Sequence, residues 1–364
     1  MQDRALKATA LQLLASKRWF SQLEVVVLPQ LSTGSSKKAL TDIDVLGLIP
    51  DDLGSYRSIL IDCKTLKGQS PVARVLWLRG VMDELTATRG VCVLKAEKVE
   101  ADHRITAANL DVLLIAEKEL DAYIAAVGGR PTGTGANSAD IDLWERFIDI
   151  PSKYKGLEPA VSFSSSQYWM TRSPAASCRK ALVTLRRLRG ELDPVKPEHL
   201  AVVADMAALF LVSVTGIVNT VFGSHLQPKE KSELSDALLS IVYGGKETYE
   251  ILNSMRRLVK VRLPETMSDD LSLPEWNRFV QFIREGLEAP IESARAPLIM
   301  REIAWSYLKE PADFVFAKTL ANESLLAAKY ALLGTEYLCR ACKLPPEFAS
   351  ILCNQILALQ TVPK

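Results

Sequence analysis

The sequence has almost no surplus of charge of either sign, since 44 lysines and arginines stand against 43 aspartates and glutamates. The net charge of +1 excludes binding to nucleic acid through a bulk basic field, so any such binding must come from local patches. Histidine is scarce as well. The three histidines, His103, His199 and His225, are isolated, and none has a metal-ligand or catalytic partner at a typical spacing. We expect them to be ordinary residues.

Cysteine is also sparse, with six residues scattered at positions 63, 92, 178, 339, 342 and 353. This is not the pattern of a secreted disulfide framework, so it predicts a reducing, cytoplasmic location. Cys339 and Cys342 have the spacing of half a zinc site, but no second pair of cysteines or histidines lies nearby in the sequence. The surrounding pattern is helical, which favours buried structural cysteines.

Long apolar runs are nearly absent, and the one uncharged stretch, residues 206–222, has a length at the lower end of the range for transmembrane helices, about 17 to 25 residues. Ser213, Thr215 and Asn219 lie within it, and Asp205 precedes it. We therefore expect a buried helix and no membrane association, with a membrane-associated effector as the alternative. The N-terminal residues have the pattern of an amphipathic helix and do not resemble a signal peptide.

Length and patterning together predict two domains, because 364 residues with 48% hydrophobic side chains exceed most single cores. Over residues 1–127 the predicted order is α-β-β-β-α-β-α-β, an α/β mixed sheet covered on both faces, with a hairpin loop at 32–38. Residues 128–174 are predicted to be a linker and irregular connector, because their first part is rich in glycine and proline. Residues 175–364 are predicted to be all-α, without a fixed repeat. The predicted helices are 175–192, 197–222, 229–242, 247–259, 274–287, 291–308, 323–342 and 346–359.

Two of the predicted strands carry charged residues among apolar ones. Strand alternation places Asp42 and Asp44 on one face of the first strand, and it places Asp62 and Lys64 on one face of the second. Charges in such strands are costly to desolvate unless they pair or hold a metal. Glu24 is the one acid of the strand before them. These positions are therefore the first place to look for chemistry.

The order of these elements resembles the PD-(D/E)xK nuclease superfamily, which has the restriction-endonuclease-like fold, and it is most similar to the Mrr-like and Holliday-junction-resolvase-like branches. In that family one acid ends a strand and an Asp/Glu-x-Lys triplet lies on the next strand, positions that match Asp44 and Asp62-Cys63-Lys64. The resemblance covers about residues 1–125 and implies nothing about the helical remainder. Two positions depart from the family: Ile43 stands where proline is common, and the second carboxylate is Asp rather than Glu.

This resemblance implies a metal-dependent endonuclease that hydrolyses phosphodiester bonds of DNA, as part of prokaryotic antiviral defence. It implies that Mg²⁺ or Mn²⁺ is held by Asp44, Asp62 and the backbone carbonyl of Cys63, with Glu24 as a further ligand. Lys64 would orient the attacking water or stabilise the developing charge. A homodimer is also implied, since cutting both strands requires two active sites; a protein partner bound by the helical domain is the other possibility.

Candidate phosphate contacts are found among the polar and basic residues outside the triplet. Gln69, Arg74 and Arg79 follow it, and Arg186 and Arg187 lie on a predicted helix of the second domain. A solvated loop and solvated helix faces explain the same residues equally well. The alternative function belongs to another class: a catalytically inactive nuclease-fold scaffold or interaction module whose helical domain assembles a protein complex. That alternative predicts no metal binding.

Overall fold

The computed structural model describes residues 3–29, 39–64, 70–262 and 270–360, and for 64 and 260–262 it describes the backbone alone. Two predictions lie outside the described residues, namely the hairpin loop at 32–38 and the phosphate contact Gln69. Within the described residues, a five-stranded mixed sheet forms in the N-terminal part, and most of the remainder is helical. The predicted layout of an α/β part followed by an α-helical part is therefore confirmed at this coarse level.

The N-terminal elements follow the predicted order α-β-β-β-α-β-α-β. They are α1 (Arg4–Ser16), β1 (Phe20–Val27), β2 (Thr41–Pro50), β3 (Tyr56–Lys64), α2 (Pro71–Leu85), β4 (Arg89–Leu94), α3 (Ala101–Ala108), β5 (Val112–Ala116) and α4 (Leu120–Ala126). The strands pair in sequence order, antiparallel from β1 to β3 and parallel from β3 to β5. Helices α2 and α3 supply the crossovers that parallel neighbours require.

One edge of the sheet collects the charged positions. Val27 at the end of β1 pairs with Thr41 at the start of β2, and Val45 on β2 pairs with Ile61 near the end of β3. Lys64, the last residue of β3, pairs with Leu94, the last residue of β4. The carboxyl ends of β1, β3, β4 and β5 and the amino end of β2 therefore lie together, and we call this border the acidic edge.

Helix α1 lies close to the sheet because Gly47 has no side chain. A Cβ atom added at Gly47 would be 2.9 Å from both Ile59 Cγ2 and Leu14 Cδ2. Leu11 and Leu14 of α1 are fully buried as a result. Larger residues at position 47 would force the helix away from β2, and this close packing fixes where the start of α1 meets the acidic edge.

The helical part begins earlier than predicted. Its helices are α5 (Ile141–Lys153), α6 (Glu158–Ser162), α7 (Pro174–Leu188), α8 (Pro197–His225), α9 (Lys231–Tyr243), α10 (Lys246–Arg262), α11 (Trp276–Glu288), α12 (Pro290–Ser293), α13 (Ala296–Leu308), α14 (Val315–Glu323), α15 (Leu325–Cys342) and α16 (Pro346–Leu359), with a π-helical turn at Phe163–Gln167. The single helix predicted over 291–308 is two, because Pro297 begins α13 in the first turn, where a missing N–H costs nothing.

The prediction of an irregular connector over 128–174 requires correction, since this segment contains α5, α6 and the π-helical turn. Trp144 and Phe147 of α5 are buried, because the helix presents one apolar face to α13. Asn137 and Ser138, in the predicted linker, are buried as well. The glycine-rich composition of the preceding residues concealed these contacts.

Helix α8 is long and apolar enough to span a membrane by length and composition, and 94% of its most apolar 18-residue window is buried inside the protein. The predicted burial of residues 206–222 is therefore confirmed. Cys339 and Cys342 both lie in α15 and are buried, as expected for structural cysteines. Burial raises the pKa of both thiols, that of Cys342 to about 12.

A buried polar cluster joins the sheet to the helices. Arg301 of α13 is fully buried, with its Nε 3.1 Å from Asp205 of α8 and its Nη1 donating to Gln22 of β1 at 3.1 Å. The next residue, Glu302, accepts hydrogen bonds from the backbone N–H groups of Asn137 at 2.9 Å and Ser138 at 3.2 Å. Charged residues at such depth need these partners, so the cluster determines how the helices dock on β1.

The contribution of Glu302 to stability is expected to decrease as pH rises from about 5 to about 8, by as much as about 3 kcal/mol. Burial raises the pKa of Glu302 from 4.5 to about 7, although its hydrogen bonds and Arg301 oppose the shift. The folded protein thus holds a proton that the unfolded chain releases, and this stabilisation is complete below pH 4.5 and lost as pH rises through about 7. Burial also raises the pKa of Asp205, which adds an effect of the same sign. Urea unfolding across this pH range measures the decrease, and Glu302→Gln should flatten it; an equally steep dependence in that variant would contradict the assignment.

Candidate metal centre

Three carboxylates converge at the acidic edge. Glu24, Asp42 and Asp44 each offer an oxygen atom, and these atoms lie within 4.8 Å of one another. The pairs Leu23–Val45 and Val25–Ile43 flank the position at which Glu24 lies opposite Asp44. Asp44 is buried, Glu24 is half-buried and Asp42 is exposed, so the group extends from the interior to solvent. Hard oxygen donors of this kind suit Mg²⁺ or Mn²⁺.

Glu24 has an unusual backbone conformation for a strand residue. Its φ of 51° lies in the left-handed region, which residues other than glycine seldom adopt. The ladder between β1 and β2 skips Glu24, although the residues on both sides of it are paired. Strained positions of this kind cluster at functional sites, so the local distortion supports a role for this side chain at the acidic edge.

Asp44 is bound from two directions. Its Oδ2 accepts a hydrogen bond from the backbone N–H of Cys63 at 2.7 Å, and its Oδ1 is 2.8 Å from the ammonium of Lys7. Lys7 also contacts the carboxylate of Glu24, and its side chain is only 4% exposed. The group of Cys63 that touches Asp44 is thus the N–H, and metal binding by its backbone carbonyl stays a prediction.

Sequence reasoning missed Lys7, although a signal was present. Lys7, Leu11 and Leu14 share one face of α1 by helical spacing, and the two leucines are buried. Burial by itself acts to lower the pKa of Lys7, but the hydrogen bonds to Asp44 and Glu24 outweigh it and raise the pKa above its usual value. Lys7 is therefore a permanent cation between two of the candidate ligands.

Asp62 is held by a different cation. Arg74 forms two hydrogen bonds with its carboxylate, of which the Nε bond is 2.7 Å long. The guanidinium also lies 3.4 Å from the centre of the Trp77 ring, and its side chain is only 12% exposed. Helix α2 begins just after the triplet, which brings its first turn to the acidic edge. Arg74 is therefore placed at the site as a partner of Asp62, and its predicted contact with phosphate stays a prediction.

Asp44 and Asp62, the two principal acids, lie opposite each other on the paired strands β2 and β3. Val45 and Ile61 form the last pair between β2 and β3, so one residue further along, Asp44 comes opposite Asp62. The backbone of Lys64 continues β3 beside β4, as the triplet pattern requires. Burial, followed by the charges of Asp44 and Asp62, raises the pKa of the Cys63 thiol well above its usual value. This cysteine is therefore a neutral residue between the acids.

Formal charge at the acidic edge remains negative among the groups described. The carboxylates of Glu24, Asp42, Asp44 and Asp62 are four, whereas the contacting cations are Lys7 and Arg74. Carboxylate oxygens are the donors that Mg²⁺ and Mn²⁺ prefer, and at Asp44 the ammonium of Lys7 would compete with such a cation.

The remaining predicted contacts lie away from these acids. Arg79 pairs with Asp83 at 2.6 Å and with Asp111 at 3.3 Å. Asp111 directly precedes β5, at the opposite border of the sheet from the acidic edge. Arg186 and Arg187 are exposed in the last turn of α7. The structure therefore groups Glu24 and Asp44 with Asp42 and places Asp62 opposite Asp44 but outside that group. Among the described residues, no hydrogen bond or ion pair joins these three arginines to those acids.

No protein-family model, no curated protein and no solved structure matches this chain. The resemblance to the PD-(D/E)xK superfamily therefore stays a prediction. What the structure supports is the coarser arrangement, a mixed five-stranded sheet followed by a helical part.

Proposed function

We propose that this protein is a metal-dependent endonuclease that hydrolyses phosphodiester bonds, with DNA as its substrate. The observation that carries the proposal is the meeting of Glu24, Asp42 and Asp44 at the sheet edge to which Asp62 also belongs. A role in prokaryotic defence rests on the family resemblance alone, as does action as a homodimer or with a protein partner. The cytoplasmic location rests on the scattered cysteines.

Hydrolysis of a phosphodiester is difficult because the substrate is an anion that repels hydroxide. Glu24, Asp42 and Asp44 would hold the Mg²⁺ or Mn²⁺, which when bound would screen the phosphate charge and acidify a water molecule. Lys7 fixes the carboxylates of Asp44 and Glu24, and Arg74 fixes Asp62. Such positioning matters because small displacements of ligands are costly in rate.

The first experiment is a nuclease panel with Mg²⁺ or Mn²⁺ over supercoiled, linear, branched and modified DNA and over RNA. We expect cleavage of at least one DNA form, and a loss of at least about 100-fold in Asp44→Asn and in Lys64→Ala. Asp121→Asn, at an exposed position on α4, is the matched control and should cleave like the wild type. Intact substrates with both metals would overturn the proposal.

A second candidate function is the inactive scaffold, and one observation favours it. Lys7 contacts Glu24 and Asp44, and Arg74 contacts Asp62. Such internal ion pairs would take the place of the metal in a nuclease fold that has lost its activity. Calorimetric titration of Mn²⁺ separates the two candidates. A working site should bind the metal and lose affinity in Asp42→Ala, a variant whose exposed position leaves the core intact. A scaffold should give no binding heat in either protein.

A further inference from the structure

A basic cleft adjoins the acidic edge. Its volume is about 310 Å³, and it lies between the end of β1 and the turn that follows the π-helix. Leu28 and Pro29 line its sheet side, while Arg172 and Lys180 line its helical side. Because Val26 pairs with Asp42, Leu28 lies only about 7 Å further along the strand direction. The cleft therefore opens beside the exposed member of the carboxylate group.

The helical part is fixed to β1 at this point. The Ser166 hydroxyl donates to the backbone carbonyl of Val26 at 2.8 Å. At the other end of the strand, the Trp169 ring lies 6.5 Å from that of Phe20. Both contacts are made on the strand that carries Glu24. The position of Arg172 and Lys180 relative to the acids is thus set by packing and hydrogen bonding rather than by a free loop.

The cations of this cleft continue along α7. This helix contains four basic residues and no acidic residue. Lys180 donates to the Thr171 hydroxyl at 2.9 Å, and the nearest acid to Arg172 is Glu84, at 4.0 Å. Arg187 lies seven residues after Lys180 on the same helix face, about 10 Å along the axis. In the described part of the chain, neither Lys180 nor Arg187 forms an ion pair.

We infer that the phosphodiester backbone of the DNA substrate lies across this cleft and along α7, with Arg172, Lys180 and Arg187 as its phosphate contacts. The substrate class is taken from the proposed function. The acidic edge itself repels DNA, and the chain has a net charge of only +1, so affinity must come from a local group of cations beside the acids. The α7 surface is such a group, and it belongs to the part of the chain that the family resemblance does not cover.

Fluorescence anisotropy with labelled DNA in EDTA, which prevents cleavage, tests this inference in the full-length protein. In the double variant Arg172→Ala/Lys180→Ala we expect at least about 10-fold weaker binding at 50 mM salt. The slope of log K against log salt concentration should become less negative by about 2, one contact per residue. The matched control is Arg89→Ala/Arg130→Ala, which removes two exposed arginines that do not line the cleft and should leave both quantities unchanged.

The outcomes separate this inference from the proposed function. If the two double variants bind DNA with equal affinity, or if the wild type does not bind DNA, the proposed position of DNA across the cleft and along α7 is wrong. If the wild type binds DNA through Arg172 and Lys180 but cleaves none in Mg²⁺ or Mn²⁺, the DNA-binding inference is supported. The proposed nuclease function is then overturned. Tighter binding of labelled RNA of the same length would overturn DNA as the substrate class.

Discussion

In Lys7→Met, the free energy of unfolding in EDTA is expected to fall by about 3–5 kcal/mol, the typical cost of removing one partner of a buried ion pair. Lys7 and Asp44 are almost inaccessible, with side chains 4% and 1% exposed. Removing the ammonium leaves the Asp44 carboxylate buried with the Cys63 N–H as its remaining described hydrogen-bond donor. Urea unfolding monitored by circular dichroism measures the loss.

Metal should then stabilise the Lys7→Met variant more than the wild type. A divalent cation at Glu24, Asp42 and Asp44 no longer competes with the ammonium, and a ligand at 100 times its Kd adds about 2.7 kcal/mol to the folded state. The melting temperature of the variant should therefore rise on addition of Mg²⁺ or Mn²⁺.

The control for this prediction is Arg4→Met on the same helix. Arg4 is exposed and pairs with Asp142 and Glu145 at the surface, where such pairs contribute about 0–1 kcal/mol. If Lys7→Met is as stable as the wild type in EDTA, the buried ion pair between Lys7 and Asp44 does not form. Destabilisation without any rescue by metal would favour the scaffold over the nuclease.

Arg301→Met should lower the free energy of unfolding by a similar amount, about 3–5 kcal/mol, because it leaves the buried carboxylate of Asp205 without its cation. The guanidinium also lies 4.3 Å from the ring centre of Phe20 and 4.8 Å from that of Trp305. Its removal therefore disturbs the contact between β1 and α13 as well as the ion pair. Thermal and urea unfolding of the variant measure the effect.

A second substitution shows whether the charge or the shape of Arg301 matters. Replacing both partners, as Arg301→Met/Asp205→Leu, should recover much of the lost stability, since buried pairs exchanged for apolar residues are often neutral. Arg295→Met, at a half-exposed pair with Glu292, is the control and should change stability little. If the double variant is as unstable as Arg301→Met alone, packing rather than an unpaired charge is responsible.

Local patterns were sufficient to predict most of the secondary structure. The strands around Asp44 and Asp62 are recognisable because alternation and β-branched residues are properties of a few adjacent positions. The burial of residues 206–222 followed from their uniform apolarity. Helix α5 was missed because the glycine-rich run before it dominated the composition of that window.

The acids of the candidate site could be found in the sequence, but their partners could not be assigned. Lys7 and Arg74 come from the helices on either side of the three strands, and nothing in their own neighbourhood indicates which carboxylate each one meets. The same holds for Asp205, Arg301 and Glu302, since charged residues on helices are exposed by default.

The order of elements, the placement of Asp44 and Asp62 on neighbouring strands and the helical nature of the remainder can be derived from the amino-acid sequence, because they depend on short-range periodicity. The ion pairs of Lys7 with Asp44 and Glu24, of Arg74 with Asp62 and of Arg301 with Asp205 become visible only in the folded protein. The physical reason is that pairing and burial of charge depend on side chains brought together by packing between distant segments, where a charge is stable only beside its partner.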